Sequence, residues 1–231
     1  MSQTRVSSGP VSRTFGLSPR EPLGQLTPLS PLLQLRRHRQ LTNLQPTALN
    51  EDGTYRDNVF LRVIGEAYLP IAFRIAAAAD PAAKLYYNDY NLEYGPTAPK
   101  TLGAVRIVKL IQSWGVKIDG VGFQGHLVTE KTGTQDVPTP SQEILEGSLR
   151  AMTDLGVDVA YTEVDIRMNT PATPQKLQDE ADCYARVAAS CLAVPRCVGM
   201  TIWVSHISLR LFVPLPLDPS AVIHLLGRWK S

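Results

Sequence analysis

The chain has 231 residues, a formal net charge of +2, 44% hydrophobic residues and 19% charged residues. That length allows one large domain or two small ones, and the charge is too small to make nucleic acid the main partner. No apolar stretch is long enough to cross a bilayer, and the N-terminus carries no apolar run of signal-peptide type.

Residues 1–47 contain Arg5, Arg13, Arg20, Arg36, Arg37 and Arg39 against a single acid, Glu21. Pro10, Pro19, Pro22, Pro28, Pro31 and Pro46 punctuate the same stretch, which has no sustained apolar periodicity. Such a segment cannot bury enough surface to offset its ordering entropy, so it reads as a disordered basic tail. An Arg-rich, acid-poor composition also suits a transit peptide, but the prolines work against an amphipathic helix.

From about residue 50 helices and strands alternate. Asp57 can cap a helix whose apolar stripe runs through Val59, Phe60, Val63, Ile64, Ala67, Tyr68, Ile71 and Ile75, with a kink or break predicted at Pro70. Lys84 to Asn88 reads as a short aromatic strand, and a second helix spans Thr101 to Trp114 before Gly115. The strand Ile118 to Gln124 follows. A third helix covers Ser141 to Leu155 and stops at Gly156. Gly156 to Ile166 is then an apolar strand that carries Glu163 and Asp165 near its far end. Thr173 and Pro174 supply an N-cap and a first helical position for a fourth helix reaching Leu192. Cys197 to Trp203 is the last strand.

The strand starts, near 84, 118, 157 and 197, lie roughly 35 to 40 residues apart with one helix in each gap, the rhythm of parallel βα units. Doubly wound sheets and barrels both produce it. No Gly-x-Gly-x-x-Gly turn or Gly-x-x-x-x-Gly-Lys-Ser/Thr loop follows any strand, which disfavours a nucleotide-binding enzyme. Polar residues at the carboxyl ends of consecutive strands favour a barrel with its site at one rim.

Strand side chains alternate faces, so Tyr161, Glu163 and Asp165 are expected on one side of their strand. By the same reasoning Tyr86, Asn88 and Tyr90 share a side, as do Gly122, Gln124 and His126. A carboxylate among amides, an imidazole and aromatic rings suits a sugar: polar groups match hydroxyls, rings cover the apolar sugar faces, and the carboxylate attacks an oxocarbenium-like centre. Cys191 and Cys197 can form a bridge or remain two free thiols, Cys183 reads as a buried free thiol, and no Cys/His spacing suggests zinc.

The segments Leu85-Tyr86-Tyr87-Asn88-Asp89-Tyr90-Asn91-Leu92-Glu93, Gly120-Val121-Gly122-Phe123-Gln124-Gly125-His126-Leu127, Thr162-Glu163-Val164-Asp165 and Gly199-Met200-Thr201-Ile202-Trp203 resemble, in order and spacing, those of glycoside hydrolase family 10, the fungal endo-1,4-β-xylanases. The resemblance covers residues 48–203 and implies an α/β fold, the TIM (β/α)8 barrel, of which only about the C-terminal half is present. It implies a retaining mechanism on xylan with Glu163 as nucleophile. His126 and Asp165 would orient it, and Asn88, Tyr90, Asn91, Gln124 and Trp203 would line the xylan cleft. It also implies a Cys191–Cys197 disulfide, extracellular location, and no metal or cofactor.

On the same resemblance the general acid/base should end a Trp-Asp-Val-Val-Asn-Glu-like strand just before Ala48. Asn43-Leu44-Gln45-Pro46-Thr47 stands there instead, which puts Thr47 in the acid's place; Glu51 reads as a surface acid. After Trp203, residues 204–231 leave the family pattern, as in a chain truncated or misjoined at both ends. Xylan hydrolysis by this chain is therefore expected to be very weak. The alternative is an inactive xylan-binding or unstable barrel fragment that self-associates through unpaired strand edges.

Overall fold

The computed structural model describes residues 47–203 together with the short strands at 38–40 and 211–214. In chain order these are β1 (His38–Gln40), α1 (Val59–Ile64), α2 (Tyr68–Ala79), β2 (Lys84–Asp89), α3 (Pro99–Ser113), β3 (Gly120–Phe123), β4 (His126–Val128), α4 (Gln142–Thr153), β5 (Asp158–Arg167), α5 (Pro174–Leu192), β6 (Cys197–Ile202) and β7 (Leu211–Pro214).

The sheet runs β1-β2-β3-β5-β6-β7, with β4 paired to the far part of β5. Every pairing as far as β6 is parallel, and only β7 runs antiparallel to its neighbour. One helix fills each crossover from β2 onward, so the described strands form part of a β/α barrel wall with its helices outside. Among the described residues no helix is long and apolar enough to cross a membrane.

Packing of the outer sheet face on the helices stabilises this arrangement. Val121, Phe123, Val159 and Tyr161 form one buried cluster with Ile107 and Ile111 of α3, Leu145 and Leu149 of α4, and Val187 of α5. Each such side chain contributes about 1.5–3 kcal/mol through burial. A disulfide joins Cys191, in the last turn of α5, to Cys197, the first residue of β6, with their Cα atoms 5.2 Å apart. Cys183 is a buried free thiol.

Local signals set most boundaries. The Ser141 and Thr173 side chains accept hydrogen bonds from the amides of Ile144 and Lys176 and so start α4 and α5. α5 begins at Pro174 and ends at Leu192, as its cap and periodicity predict. The stripe after residue 57 behaves differently. It forms two helices separated at Gly65, and Pro70 lies in the first turn of α2, where its missing N–H breaks nothing. Asn58, not Asp57, is the cap: its side chain accepts from Leu61 N–H at 3.0 Å, while Asp57 pairs with Arg62. α3 starts at Pro99, two residues before the expected Thr101, because a proline fits a first turn that needs no donor there.

Both flanking segments contribute strands that the sequence pattern does not announce. His38–Gln40 pairs parallel with Lys84–Tyr86, inside the stretch expected to be disordered. Leu211–Pro214 pairs with β6 in the tail beyond residue 203. β2 and β6 are thus not the outer edges of the sheet, as the four-strand expectation had them. The rest of the expected disordered segment, apart from Thr47, and of the expected tail falls outside the described residues.

Candidate active site

Glu163 owes its position to an irregularity in β5. The buried residues of this strand are Val159, Tyr161, Val164 and Ile166, so the alternation slips by one between Tyr161 and Val164. The pairing with β6 shifts register over the same interval. A bulge here turns two successive residues to the same side. Thr162 and Glu163 accordingly both reach Asn88, whereas Tyr161 packs outward, its hydroxyl 3.0 Å from Ser190 of α5 and its ring edge-on to Phe123. Strict alternation wrongly grouped Tyr161 with Glu163 and Asp165.

Asn88 spans the gap between β2 and β5. The Thr162 hydroxyl donates to its Oδ1 at 2.9 Å, which aims Nδ2 at Glu163 Oε1, 3.2 Å away. A side chain at Gly122 would collide with the Asn88 amide, so glycine there is what lets the amide cross. Pattern reasoning missed Thr162 because it assigned that residue to the opposite face.

His126 completes the cluster from the next strand segment. Its Nδ1 lies 3.0 Å from Asp165 Oδ2, and its Nε2 is 3.6 Å from Glu163 Oε2. The hydrogen bond to Asp165 and then the close Glu163 carboxylate push the imidazole up to about 9, against partial burial, so the ring is protonated at neutral pH. One imidazolium thus sits between two carboxylates. The main chain fixes the spacing: Glu163 N–H donates to Gln124 O at 2.9 Å and Asp165 N–H to Gly125 O at 3.2 Å. Gly125 turns the chain between these contacts with φ +75, a conformation that favours glycine.

The remaining expected cleft residues occupy other places on the rim. Gln124 contributes its backbone, accepting from Glu163 and donating to Asp89 O. Trp203, 48% exposed, follows β6 with its amide bonded to Val164 O at 2.9 Å, beside Glu163 in sequence. Tyr90 and Asn91 belong to a second cluster around the buried Lys100. The Lys100 ammonium lies 3.3 Å from the Tyr90 ring centroid, 2.8 Å from Glu51 and 3.3 Å from Asp89. Arg56 donates to the Tyr90 hydroxyl, and Asn91 Nδ2 donates to Glu51 Oε2 at 3.0 Å.

Glu51 is exposed, as expected, but it is tied down. Partial burial pushes its carboxyl up; hydrogen bonds from Lys100 and Asn91 and the Lys100 charge outweigh that and hold it below the usual range. A carboxyl so disposed is a poor proton donor near neutral pH. Thr47, at the acid/base position implied by resemblance, is buried, and its hydroxyl faces Leu49 O at 3.5 Å.

Known proteins decide the family. The family model described as Glycosyl hydrolase family 10 matches residues 46–206. The chain belongs to glycosyl hydrolase family 10. Its family 10 relatives include "Endo-1,4-beta-xylanase A" of Fusarium oxysporum f. sp. lycopersici, 67% identical over 156 residues, which are 68% of this chain and 47% of that protein. "Endo-1,4-beta-xylanase 1" of Gibberella zeae is 65% identical over 156 residues, covering 68% of this chain and 44% of the relative. The solved endo-1,4-beta-xylanase XylE of Penicillium canescens superposes with a TM-score of 0.61 at 34% identity, over 68% of this chain and 47% of that one. The chain thus spans under half the length of these relatives. Family 10 structures are TIM barrels, and the parallel wall described above is a partial one.

Proposed function

We propose that this chain carries the nucleophile side of a retaining endo-1,4-β-xylanase site, with Glu163 attacking the anomeric carbon of a β-1,4-linked xylose unit. The arrangement that carries the reading is the His126 imidazolium held between Asp165 and Glu163, with Asn88 on the second Glu163 oxygen. Both carboxylate oxygens of Glu163 are thereby oriented before substrate arrives, which lowers the reorganisation that attack requires. Asn91, Tyr90, Gln124 and Trp203 would line the cleft that receives the xylan chain. The reaction as we read it needs no metal or cofactor.

Departure of the leaving sugar oxygen requires a proton from a second carboxyl roughly 5–5.5 Å from the nucleophile. Thr47 cannot supply it, and Glu51 is held ionised by Lys100 and Asn91. We therefore read xylan turnover by this chain as very slow. Attack by Glu163 survives where the leaving group needs no proton. The Cys191–Cys197 disulfide supports an extracellular, oxidising location.

The test compares xylan with an aryl β-xylobioside bearing a strongly acidic phenol. We expect one rapid equivalent of phenol per chain from the aryl donor, very little sugar released from xylan, and neither with Glu163→Ala. Xylan hydrolysis that survives Glu163→Ala contradicts the assignment.

A further inference from the structure

Glu93 follows β2 by four residues, and nothing in the proposed chemistry uses it. It is fully buried. Its Oε1 accepts from the Gly125 amide at 2.7 Å, and its Oε2, also buried, has no hydrogen-bond partner among the described residues. A carboxyl group in such a place needs a reason, because removing it from water is unfavourable unless its bonds compensate.

The partner it has chosen is informative. Gly125 is the hinge between Gln124, whose carbonyl takes the Glu163 amide, and His126, whose ring meets both Asp165 and Glu163. The carbonyl of Gly125 itself takes the Asp165 amide. Holding the Gly125 N–H fixes the Gln124–Gly125 peptide plane and with it the carbonyl that takes the Glu163 amide. The next plane carries the carbonyl that takes the Asp165 amide and leads into His126. Gln135 also braces His126: its Nε2 donates both to His126 O and to the hydroxyl of Tyr94, the residue next to Glu93, and Arg167 donates to Gln135 Oε1 at 2.9 Å.

We propose that Glu93 is a positioning residue: by gripping the Gly125 amide it sets the turn that aims His126 at Asp165 and Glu163. Its consequence for catalysis rests on Glu163 being the nucleophile; its consequence for His126 geometry does not. Burial pushes the Glu93 carboxyl up to about 7, opposed by main-chain hydrogen bonds and the His126 charge. Both ionisation forms keep an oxygen able to accept from Gly125, which makes Gln the conservative replacement and Leu the disruptive one.

The experiment uses the full chain, labelled for NMR, with Glu93→Gln and Glu93→Leu. Glu93→Leu speeds hydrogen exchange of the Gly125 amide about tenfold or more and lowers the His126 titration midpoint by about one unit. With the aryl donor the rate constant of the phenol burst falls, while the donor concentration that gives half its maximum holds. Glu93→Gln restores all three. A folded Glu93→Leu whose Gly125 exchange and His126 midpoint match the parent overturns the proposal. Should that variant not fold, the parent decides: its Gly125 amide resonance must move as Glu93 titrates near neutral pH, and must stop moving in Glu93→Gln. A resonance flat in both sinks the idea. Because these resonances need no substrate, a parent that never reacts with the aryl donor refutes the Glu163 reading without touching this one.

Discussion

Replacing Asp165 by Asn tests the charge cluster quantitatively. His126 stands at about 9 against an ordinary value of 6.5. At about 1.4 kcal/mol per unit this is about 3.4 kcal/mol of preference for the protonated ring, which screening of its 31%-exposed side chain reduces to roughly half. The folded value lies above the unfolded one. The stabilisation is therefore complete below pH 6.5 and is lost as pH rises through 9. Asp165 makes the closer contact, 3.0 Å against 3.6 Å for Glu163, and so holds the larger share. Asp165→Asn should lower the His126 midpoint by about one unit and the stability at pH 6 by about 1 kcal/mol, while changing stability little at pH 10. Ring-proton NMR titration and urea unfolding at the two pH values measure both effects. A His126 midpoint near 6.5 in the parent, or one unmoved by Asp165→Asn, refutes the reasoning.

Three further outcomes are expected. Thr162→Val leaves Asn88 Oδ1 without its hydroxyl donor, and phenol release from the aryl donor should slow about tenfold, an effect of order 1.4 kcal/mol, with the circular dichroism spectrum unchanged. Reducing the Cys191–Cys197 bridge opens a short loop and should cost about 2 kcal/mol, read as a lower thermal midpoint in dithiothreitol. Among the described residues the outer strands of the sheet are β1 and β7, and Val59, Val63 and Ile75 are exposed on α1 and α2; we expect concentration-dependent association in sedimentation velocity. A monomer that unfolds in one cooperative step at every concentration contradicts this.

Local chemistry was legible in the sequence, and contacts distant along the chain were not. Thr173 with Pro174, and Ser141 before its apolar stripe, carry their signals within one turn, and the structure starts α5 and α4 at those places. The order of polar strand ends located Asn88, His126, Glu163 and Asp165, which the structure draws into one cluster. The β5 bulge was invisible because it depends on the register against β6, nearly forty residues further on. For the same reason the ties of Tyr90 and Asn91 to the Lys100 cluster could not be read: Lys100 and Glu51, 49 residues apart, meet only in the fold. Gly65 outweighed Pro70 as the helix breaker because a first-turn proline interrupts no hydrogen bond. β1 gave no signal, since among the described residues these three, set among prolines and arginines, are held as a strand by pairing with β2.

The most direct test of Glu163 as nucleophile is the mass of the chain after brief exposure to the activated aryl xylobioside, followed by peptide mapping. A gain of one xylobiosyl group on the peptide containing Glu163, absent from Glu163→Ala, is the result predicted here. An unmodified chain, or a sugar attached to any other residue, contradicts it.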